Sequence, residues 1–334
     1  MKTLKHLPAL DGLRGIAILL VIGVHVNFAI PGGWLGVELF FVLSGFLITS
    51  LLIGEWSTTN AVSVRAFYRR RVYRLVPALV LLLAVYTAVI GGRQALGFGG
   101  DLGHSLSGVG YALIYLSNVV DPMSIPLELH HTWSLAQEEQ FYLVWPLALL
   151  ALVRVGAGPR VLAVFLVAIL VGTQAEFRIN SLVVGCIAGV LFSYGLVTRV
   201  PLLPATIALA PAAALVWLFE YHTKSNEMIL VFTIPCGIVV LAAVTTPEWW
   251  AVRIFELPVL RWFGKISYGL YLWHWPLIVA VGWKLGVPLA VATAAFSYRF
   301  VEQPFLRRRK RTTDRSARQP WFQRRLDPEP ATTG

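Results

Sequence analysis

Two ionisable residues share one face of the first apolar segment. Arg14 and His25 are eleven residues apart, which is about three helical turns, so their side chains lie roughly 16 Å apart along the axis. Ionisable groups within membrane spans are costly and usually face a protein interior or a water-filled cavity. The pair therefore indicates a fixed cation and a neutral base on one functional face. The alternative is an arginine that extends to the headgroups and a histidine bonded to a backbone carbonyl.

Carboxylates are expected at the depth of this histidine. Glu38 lies about one turn into the second apolar segment, which a short loop makes an antiparallel neighbour of the first. Glu138 follows a long loop and enters a later apolar segment. Either carboxylate could orient the His25 imidazole and raise its basicity, although Glu38 could instead face only lipid headgroups. Further polar groups singled out in the chain are His131, Trp133, Glu139, Tyr268 and His274.

Four arginines lie within six residues, directly before the third apolar segment. They are Arg69, Arg70, Arg71 and Arg74, and aromatic residues stand beside them. Arginine pairs bidentately with phosphate, and aromatic rings stack on a purine base or a guanidinium. The cluster therefore points to a phosphate-bearing ligand at a membrane edge. The alternative is a basic patch that only fixes membrane topology.

Long apolar segments must position these residues. The chain has 334 residues, of which 57% are hydrophobic and 13% are charged, against about 25% charged residues in a typical soluble domain. A span needs roughly 20 mostly apolar residues, so we predict an all-α polytopic membrane protein with about ten transmembrane helices. The predicted helices are 8–29, 34–53, 75–92, 136–153, 160–176, 179–197, 202–219, 228–246, 265–283 and 287–304. The run 108–120, between the third and fourth spans, is too short to span comfortably and is expected to be interfacial or re-entrant.

The distribution of positive charge predicts the orientation. With a cytoplasmic N-terminus, 22 of the 28 Lys and Arg residues fall in cytoplasmic segments and four in external ones, while Arg14 and Arg299 lie inside spans. This bias predicts that both termini are cytoplasmic. It also assigns the net charge of +11 to topology and to contact with anionic membrane lipids, not to nucleic acid. Residues 307–334 are basic and lack apolar periodicity, so a disordered cytoplasmic tail is expected.

The two cysteines indicate neither a disulfide framework nor a metal site. Cys186 and Cys236 both fall within predicted spans, and they lack metal-type spacing. Buried cysteines of this kind act mostly as small hydrophobic residues. We therefore expect no metal.

Six blocks of sequence, taken in order, resemble the bacterial membrane acyltransferase-3 family. The blocks are 10–15 with His25, 36–46, 68–77, 131–142, 266–276 and 297–304. Each block alone is a weak signal, but six in the same order are specific, and together they cover nearly the whole chain from Leu7 to about Arg308. The family comprises inner-membrane O-acyltransferases that modify polysaccharides, lipids and antibiotic sugars.

The resemblance implies a transmembrane acyltransferase domain over residues 1–306. Its expected activity is transfer of an acyl group, preferably acetyl, from cytoplasmic acyl-CoA to a hydroxyl of a glycan, a glycolipid or another sugar-bearing acceptor. Arg14 and His25 inherit essential roles, and His25 could act as general base or become transiently acylated. The resemblance assigns acyl-CoA contact to Arg71 and Arg74, with Arg69 and Arg70 as further candidates. The residues considered for an acceptor or thioester site are His131, Trp133, Glu139, Tyr268 and His274.

Several points stay open at this level. Position 38 is more often Asp in the family and position 137 more often a small apolar residue, so the longer Glu38 could sit differently. The resemblance implies acyl-CoA as a co-substrate, no permanently bound cofactor and a bacterial inner-membrane location. A proton-coupled transporter of a small polar solute is the alternative function, because intramembrane ionisable groups can form a path. A transporter does not need an arginine cluster beside aromatic residues.

The oligomeric state, the acceptor and the acyl group are not determined by the sequence.

The orientation can be tested with single introduced cysteines. A cysteine at Asn226 should react with an impermeant thiol reagent added outside intact cells, whereas one at Thr313 should react only after permeabilisation. The charge bias gives this expectation, because Lys and Arg accumulate in cytoplasmic loops. The parent chain, whose two cysteines lie within predicted spans, is the control. The reverse labelling pattern would contradict the topology.

Overall fold

The computed structural model describes residues 7–26, 34–98, 101–172, 179–200 and 226–307. Within these ranges the chain is helical and contains no strand. The α-helices are α1 (Pro8–His25), α2 (Leu35–Thr59), α3 (Val64–Ala95), α4 (Leu102–Leu113), α5 (Thr132–Arg154), α6 (Pro159–Gly172), α7 (Asn180–Ser193), α8 (Asn226–Thr245), α9 (Trp250–Phe255), α10 (Pro258–Val281) and α11 (Trp283–Ser297). Two 3-10 turns, Pro122–Ser124 and Leu127–Leu129, precede α5, and a π-helical turn, Tyr298–Glu302, follows α11.

Among the described residues three helices, α1, α2 and α3, are long and apolar enough to cross a membrane. Shorter apolar helices lie at Pro159–Gly172, Asn180–Ser193 and Leu230–Thr245. Large apolar side chains are exposed along the outer faces of α3, α5 and α6, as at Val80, Leu143 and Val164. Surfaces of this kind suit contact with lipid tails.

The prediction of a helical protein with membrane-capable helices is therefore confirmed, while the count of ten spans stays a prediction. The span predicted at 202–219 lies outside the described residues. So does the predicted tail, apart from Arg307.

The third helix is longer than the sequence indicated. A span predicted at 75–92 is observed as α3 from Val64 to Ala95. The hydroxyl of Ser63 accepts a hydrogen bond from the N–H of Ala66 and caps the helix start. The arginine cluster consequently lies on the first turns of a helix, and helical periodicity directs its members to different faces.

The apolar run predicted at 108–120 is divided between a helix and a turn. Asp101 caps α4 by accepting a hydrogen bond from the His104 N–H at 2.9 Å, and Tyr115, with a φ of 56°, lies beyond the helix end. A 12-residue helix is about 18 Å long, which is short of the roughly 30 Å hydrocarbon core. The segment is thus too short to span, and its interfacial or re-entrant placement stays a prediction.

Backbone contacts hold α1 against α10. A Cβ atom built on Gly15 would lie 2.0 Å from the carbonyl oxygen of Leu260, and one built on Gly264 would lie 1.8 Å from that of Asp11. A Cβ on Gly12 would lie 1.6 Å from a carbonyl oxygen of α9. Only glycine, which lacks a Cβ, permits helices to approach so closely.

A second close contact joins α2 to α7. A Cβ on Gly45 would lie 2.0 Å from the carbonyl oxygen of Leu182, and one on Gly185 would lie 2.1 Å from that of Val42. Because α1 also packs on α2, helices α10, α1, α2 and α7 form a continuous row. Buried apolar side chains fill the spaces on both sides of this row.

The glycine contacts give a stability prediction. Gly15→Ala and Gly264→Ala should each destabilise the protein by about 1–3 kcal/mol or more, because the added methyl group overpacks a rigid backbone contact. Thermal unfolding in detergent measures the effect. Gly92→Ala is the matched control, since a Cβ there meets nothing within 4 Å and alanine favours a helix. Equal unfolding temperatures for all three variants would contradict the close packing.

Candidate active site

His25 is the last residue of α1, and its own helix holds the imidazole. Its Nδ1 lies 2.7 Å from the carbonyl oxygen of Val21. A carbonyl oxygen can only accept a hydrogen bond, so in the neutral ring Nδ1 carries the proton and Nε2 is free to accept one. The backbone contact thus fixes the tautomer that a general base requires.

Three histidines from three parts of the chain lie together, and we call them the histidine cluster: His25, His131 and His274. The ring centroid of His274 is 5.2 Å from that of His25 and 5.6 Å from that of His131. The Trp275 ring lies 4.6 Å from that of His25. Among the described residues no group of His, Cys, Asp or Glu is arranged to hold a metal ion, and we consider these rings for proton transfer.

Tyr271 joins the histidine cluster to α5. Its hydroxyl lies 2.5 Å from the hydroxyl of Ser134 and 3.1 Å from the carbonyl oxygen of His131. The Nε2 of His131 in turn donates to the carbonyl oxygen of Leu272 at 3.1 Å. All these polar groups are buried, so the start of α5 is fixed against the middle of α10.

The segment 101–131 docks on α10 through backbone atoms. The indole N–H of Trp275 donates to the carbonyl oxygen of Leu127 at 2.6 Å. Within the segment, the His130 ring contacts the carbonyl oxygen of Ile125 at 2.8 Å. The accepting groups belong to the main chain in both cases.

A small cavity of about 40 Å³ lies between α1, α2, α5 and α10. Its polar lining residues are Arg14, Ser134, Glu138, Ser267, Tyr268 and Tyr271, and apolar side chains of α2 and α5 complete the wall. A lining of apolar side chains with a few convergent polar groups is typical of the walls of small-molecule sites. The Ser134–Tyr271 pair forms the boundary of the cavity next to the histidine cluster.

Glu138 accepts two hydrogen bonds and faces an arginine. The hydroxyls of Ser44 and Tyr142 both donate to its Oε1. The guanidinium of Arg71 lies over the Tyr142 ring, 3.6 Å from the centroid, which is a cation–π contact. The carboxylate and its two hydroxyl donors thus connect α2, α5 and α3 beside the cavity.

Three arginines converge near this point, and we call them the cation cluster: Arg14, Arg71 and Arg74. Their charges act on one another, with Glu138 and Glu139 as opposing charges. Within the described ranges none of the three forms an ion pair within 4 Å, and Nε of Arg14 is buried without a hydrogen-bond partner. Such a cluster suits an anionic ligand with several oxygen atoms.

The remaining two arginines of the sequence cluster point elsewhere. Arg69 is exposed, and Arg70 lies 3.8 Å from the carboxylate of Glu55 at the end of α2. The structure therefore brings Arg71 and Arg74 to the cavity side and does not bring Arg69 and Arg70 there.

The carboxylates expected beside His25 have other partners. Glu38 is buried, and it accepts a hydrogen bond from the hydroxyl of Ser181 on α7 at 2.5 Å. Glu138 lies with Tyr142 and Ser44. The hydrogen bond that orients His25 comes from the backbone of α1, because the last turn of that helix supplies a carbonyl within reach.

The other candidates are spread around the cavity. Tyr268 lines it, and the Tyr268 hydroxyl donates to the carbonyl oxygen of Leu75 on α3 at 2.9 Å. Glu139 is half-buried, and its charge acts on Arg71. Trp133 is half-buried on the first turn of α5. These positions place Tyr268 at the cavity wall and Glu139 beside the cation cluster.

The structure adds four hydroxyl residues to the site: Ser44, Ser134, Tyr142 and Tyr271. All four lie inside sequence blocks that carry the family resemblance. Hydroxyl groups within otherwise apolar helices, in the same blocks as ionisable residues, are the signal that could have identified them. The Tyr142–Glu138 pair is four residues apart on α5 and lay within reach of sequence reasoning. The partners of Ser44 and Ser134 lie on other helices and were not predictable.

Comparisons with known proteins agree with these blocks. A family model described as an acyltransferase domain matches residues 7–297. The peptidoglycan O-acetyltransferase OatA of Listeria monocytogenes is 30% identical over 90% of this chain and 56% of its own length. A putative O-acetyltransferase of Staphylococcus aureus is 29% identical over 91% of this chain and 58% of its own.

A further relative is the putative peptidoglycan O-acetyltransferase YrhL of Bacillus subtilis, which is 30% identical over 90% of this chain and 55% of its own length. The chain therefore spans little more than half the length of these relatives. No solved structure matches it.

Proposed function

The chain belongs to the acyltransferase-3 family, and from this we propose that it is a membrane O-acyltransferase using acyl-CoA. The acyl group, acetyl in the first instance, would pass from CoA at the cytoplasmic face to a hydroxyl of a sugar-bearing acceptor. A cell-wall glycan is the first acceptor to test, because OatA and YrhL are named for peptidoglycan. Membership in this family favours the enzyme over the transporter alternative.

One observation carries the proposal: a cavity extends from the cation cluster to the edge of the histidine cluster. Arg14 lines the cavity, and Tyr271 lines it 5.3 Å from the ring of His274. An acyl-CoA molecule carries phosphates at one end and a thioester at the end of an extended arm. The cation cluster is suited to the phosphates. The cavity of about 40 Å³ marks the path proposed for the arm, and the helices around it would have to move apart to admit the arm.

His25 is the proposed base on the acceptor hydroxyl. Its Nε2 would accept the hydroxyl proton while the oxygen atom attacks the thioester carbonyl. Transient acylation of His25 is the second route. Both routes use the same nitrogen atom, so the tautomer set by Val21 supports either one.

The proposed donor site leads to a binding prediction. Arg71→Ala and Arg74→Ala should each weaken acetyl-CoA binding by roughly 10- to 150-fold, because a charge-assisted contact of about 1.5–3 kcal/mol is lost. Arg71→Lys should recover only part of it, since lysine keeps the charge but not the planar group over Tyr142. Titration of the detergent-purified chain with acetyl-CoA measures the affinity.

The control for this experiment is Arg65→Ala, which removes an exposed arginine from the first turn of the same helix. It should bind acetyl-CoA as the parent does. If Arg71→Ala and Arg74→Ala also bind with parental affinity, the arginines serve topology alone and the donor site is wrong.

The proposed base leads to a catalytic prediction. His25→Asn should lower acetyl transfer by about 10²–10⁴-fold, because asparagine can still donate to the Val21 carbonyl but cannot accept the proton. Acetyl-CoA binding should be unchanged. Transfer of radiolabelled acetyl groups from acetyl-CoA to soluble peptidoglycan fragments, in membrane vesicles, provides the measurement.

His104→Asn, on α4, is the matched control and should keep parental transfer. Near-parental transfer by His25→Asn at parental expression would make His25 a histidine of purely structural role. The base would then have to be sought at His131 or His274.

A further inference from the structure

His274 presents a buried nitrogen that packing does not explain. The residue is 0% exposed, and its Nδ1 lies 2.7 Å from the carbonyl oxygen of Tyr271. Nδ1 is therefore the donor, and Nε2 carries a lone pair. Within the described ranges Nε2 is buried and has no hydrogen-bond partner. Unpaired buried acceptors are rare and costly, so this one calls for a functional explanation.

The position of His274 connects two parts of the site. Its ring centroid is 5.2 Å from that of His25 and 5.3 Å from that of Tyr271, which lines the cavity. Two imidazoles at this separation lie within reach of proton transfer, directly or through one water molecule. His274 thus lies close both to the proposed base and to a residue that lines the cavity.

We propose that His274 is a proton-accepting partner of His25, and this inference rests on the proposed function. His25 removes the proton of the acceptor hydroxyl, the oxygen atom forms a bond to the acyl carbon, and the carbon–sulfur bond breaks. The proton passes from Nε2 of His25 to Nε2 of His274. The CoA thiolate then takes that proton and leaves as the thiol, which returns both rings to the neutral state.

Other polar groups near His25 are less suited to this role. His131 also has a buried nitrogen without a hydrogen-bond partner, Nδ1, but the ring contacts of His131 are with Tyr271 and His274 and not with His25. The hydroxyls of Ser134 and Tyr271 are hydrogen-bonded to each other, and Glu138 lies beside the cation cluster. Of these groups, His274 combines a free lone pair with contact to the ring of His25.

The sharpest test is His274→Asn. Asparagine keeps a donor for the Tyr271 carbonyl but removes the lone pair. We expect kcat for acetyl transfer to peptidoglycan fragments to fall by about 10²-fold or more, while KM for acetyl-CoA stays within twofold. His130→Gln is the matched control, because glutamine keeps a donor for the Ile125 carbonyl, and its kcat should stay parental.

A double variant separates proton transfer from structural damage. Residues that act as a unit are strongly non-additive, so His25→Asn with His274→Asn should be no slower than His25→Asn alone. The proposal would be overturned if the fold-loss in kcat of the double variant equals the product of the two single losses. It would also be overturned if His274→Asn keeps a near-parental kcat. A larger loss in His131→Gln than in His274→Asn would overturn it as well.

The outcomes also separate this inference from the proposed function. If the parent chain shows no acetyl transfer, both the proposed function and the role of His274 are contradicted. If the parent and the His274→Asn variant are both active, only the role of His274 is contradicted. If His274→Asn fails to elute as the parent does in detergent, His274→Gln replaces it, with the same expected kcat and KM.

Discussion

The arrangement of the site depends on the backbone contact between α1 and α10. Carbonyl oxygens occupy the places where Cβ atoms of Gly15 and Gly264 would lie. Such a contact leaves no freedom to slide, because any shift along the axis brings a carbonyl against a neighbouring side chain. It therefore fixes the depth of Arg14 and His25 on one helix relative to Tyr271 and His274 on the other. The distance of 5.2 Å between the ring centroids of His25 and His274 depends on this fixed alignment of the two helices.

Charge within the helical core is the second constraint. Three arginines near one cavity repel one another, and burial in a medium of low dielectric makes that repulsion costly. The cost is offset by Glu138, Glu139 and the face of the Tyr142 ring. The offset is incomplete, since none of the three arginines has an ion pair within 4 Å among the described residues. The protein thus keeps a local excess of positive charge, which a bound polyanionic ligand would neutralise.

The sequence was informative about helices and about which residue types matter, and less so about their partners. Apolar length and charge bias were enough for the helical membrane class, and ordered motifs were enough for the family. The start of α3 was missed because a Ser63 cap extends the helix over an arginine-rich stretch that hydropathy excludes. The partner of Glu38 was not predictable, because Ser181 is 143 residues away in the chain and α7 carries no charge that marks it. Local patterns report helix faces, whereas long-range pairing depends on packing that only the folded chain displays.

The attachment of the segment 101–131 has a consequence for divergence within the family. The indole of Trp275 holds this segment through the carbonyl oxygen of Leu127, and the hydroxyl of Tyr271 reaches the carbonyl oxygen of His131. Main-chain acceptors are present whatever side chain a position carries. Exposed side chains of the segment, such as Met123, can therefore be exchanged while these two hydrogen bonds persist, whereas the buried Ile125 and Leu129 are held by core packing. The outer face of the segment is thus freer to vary in sequence than the face that packs on α10.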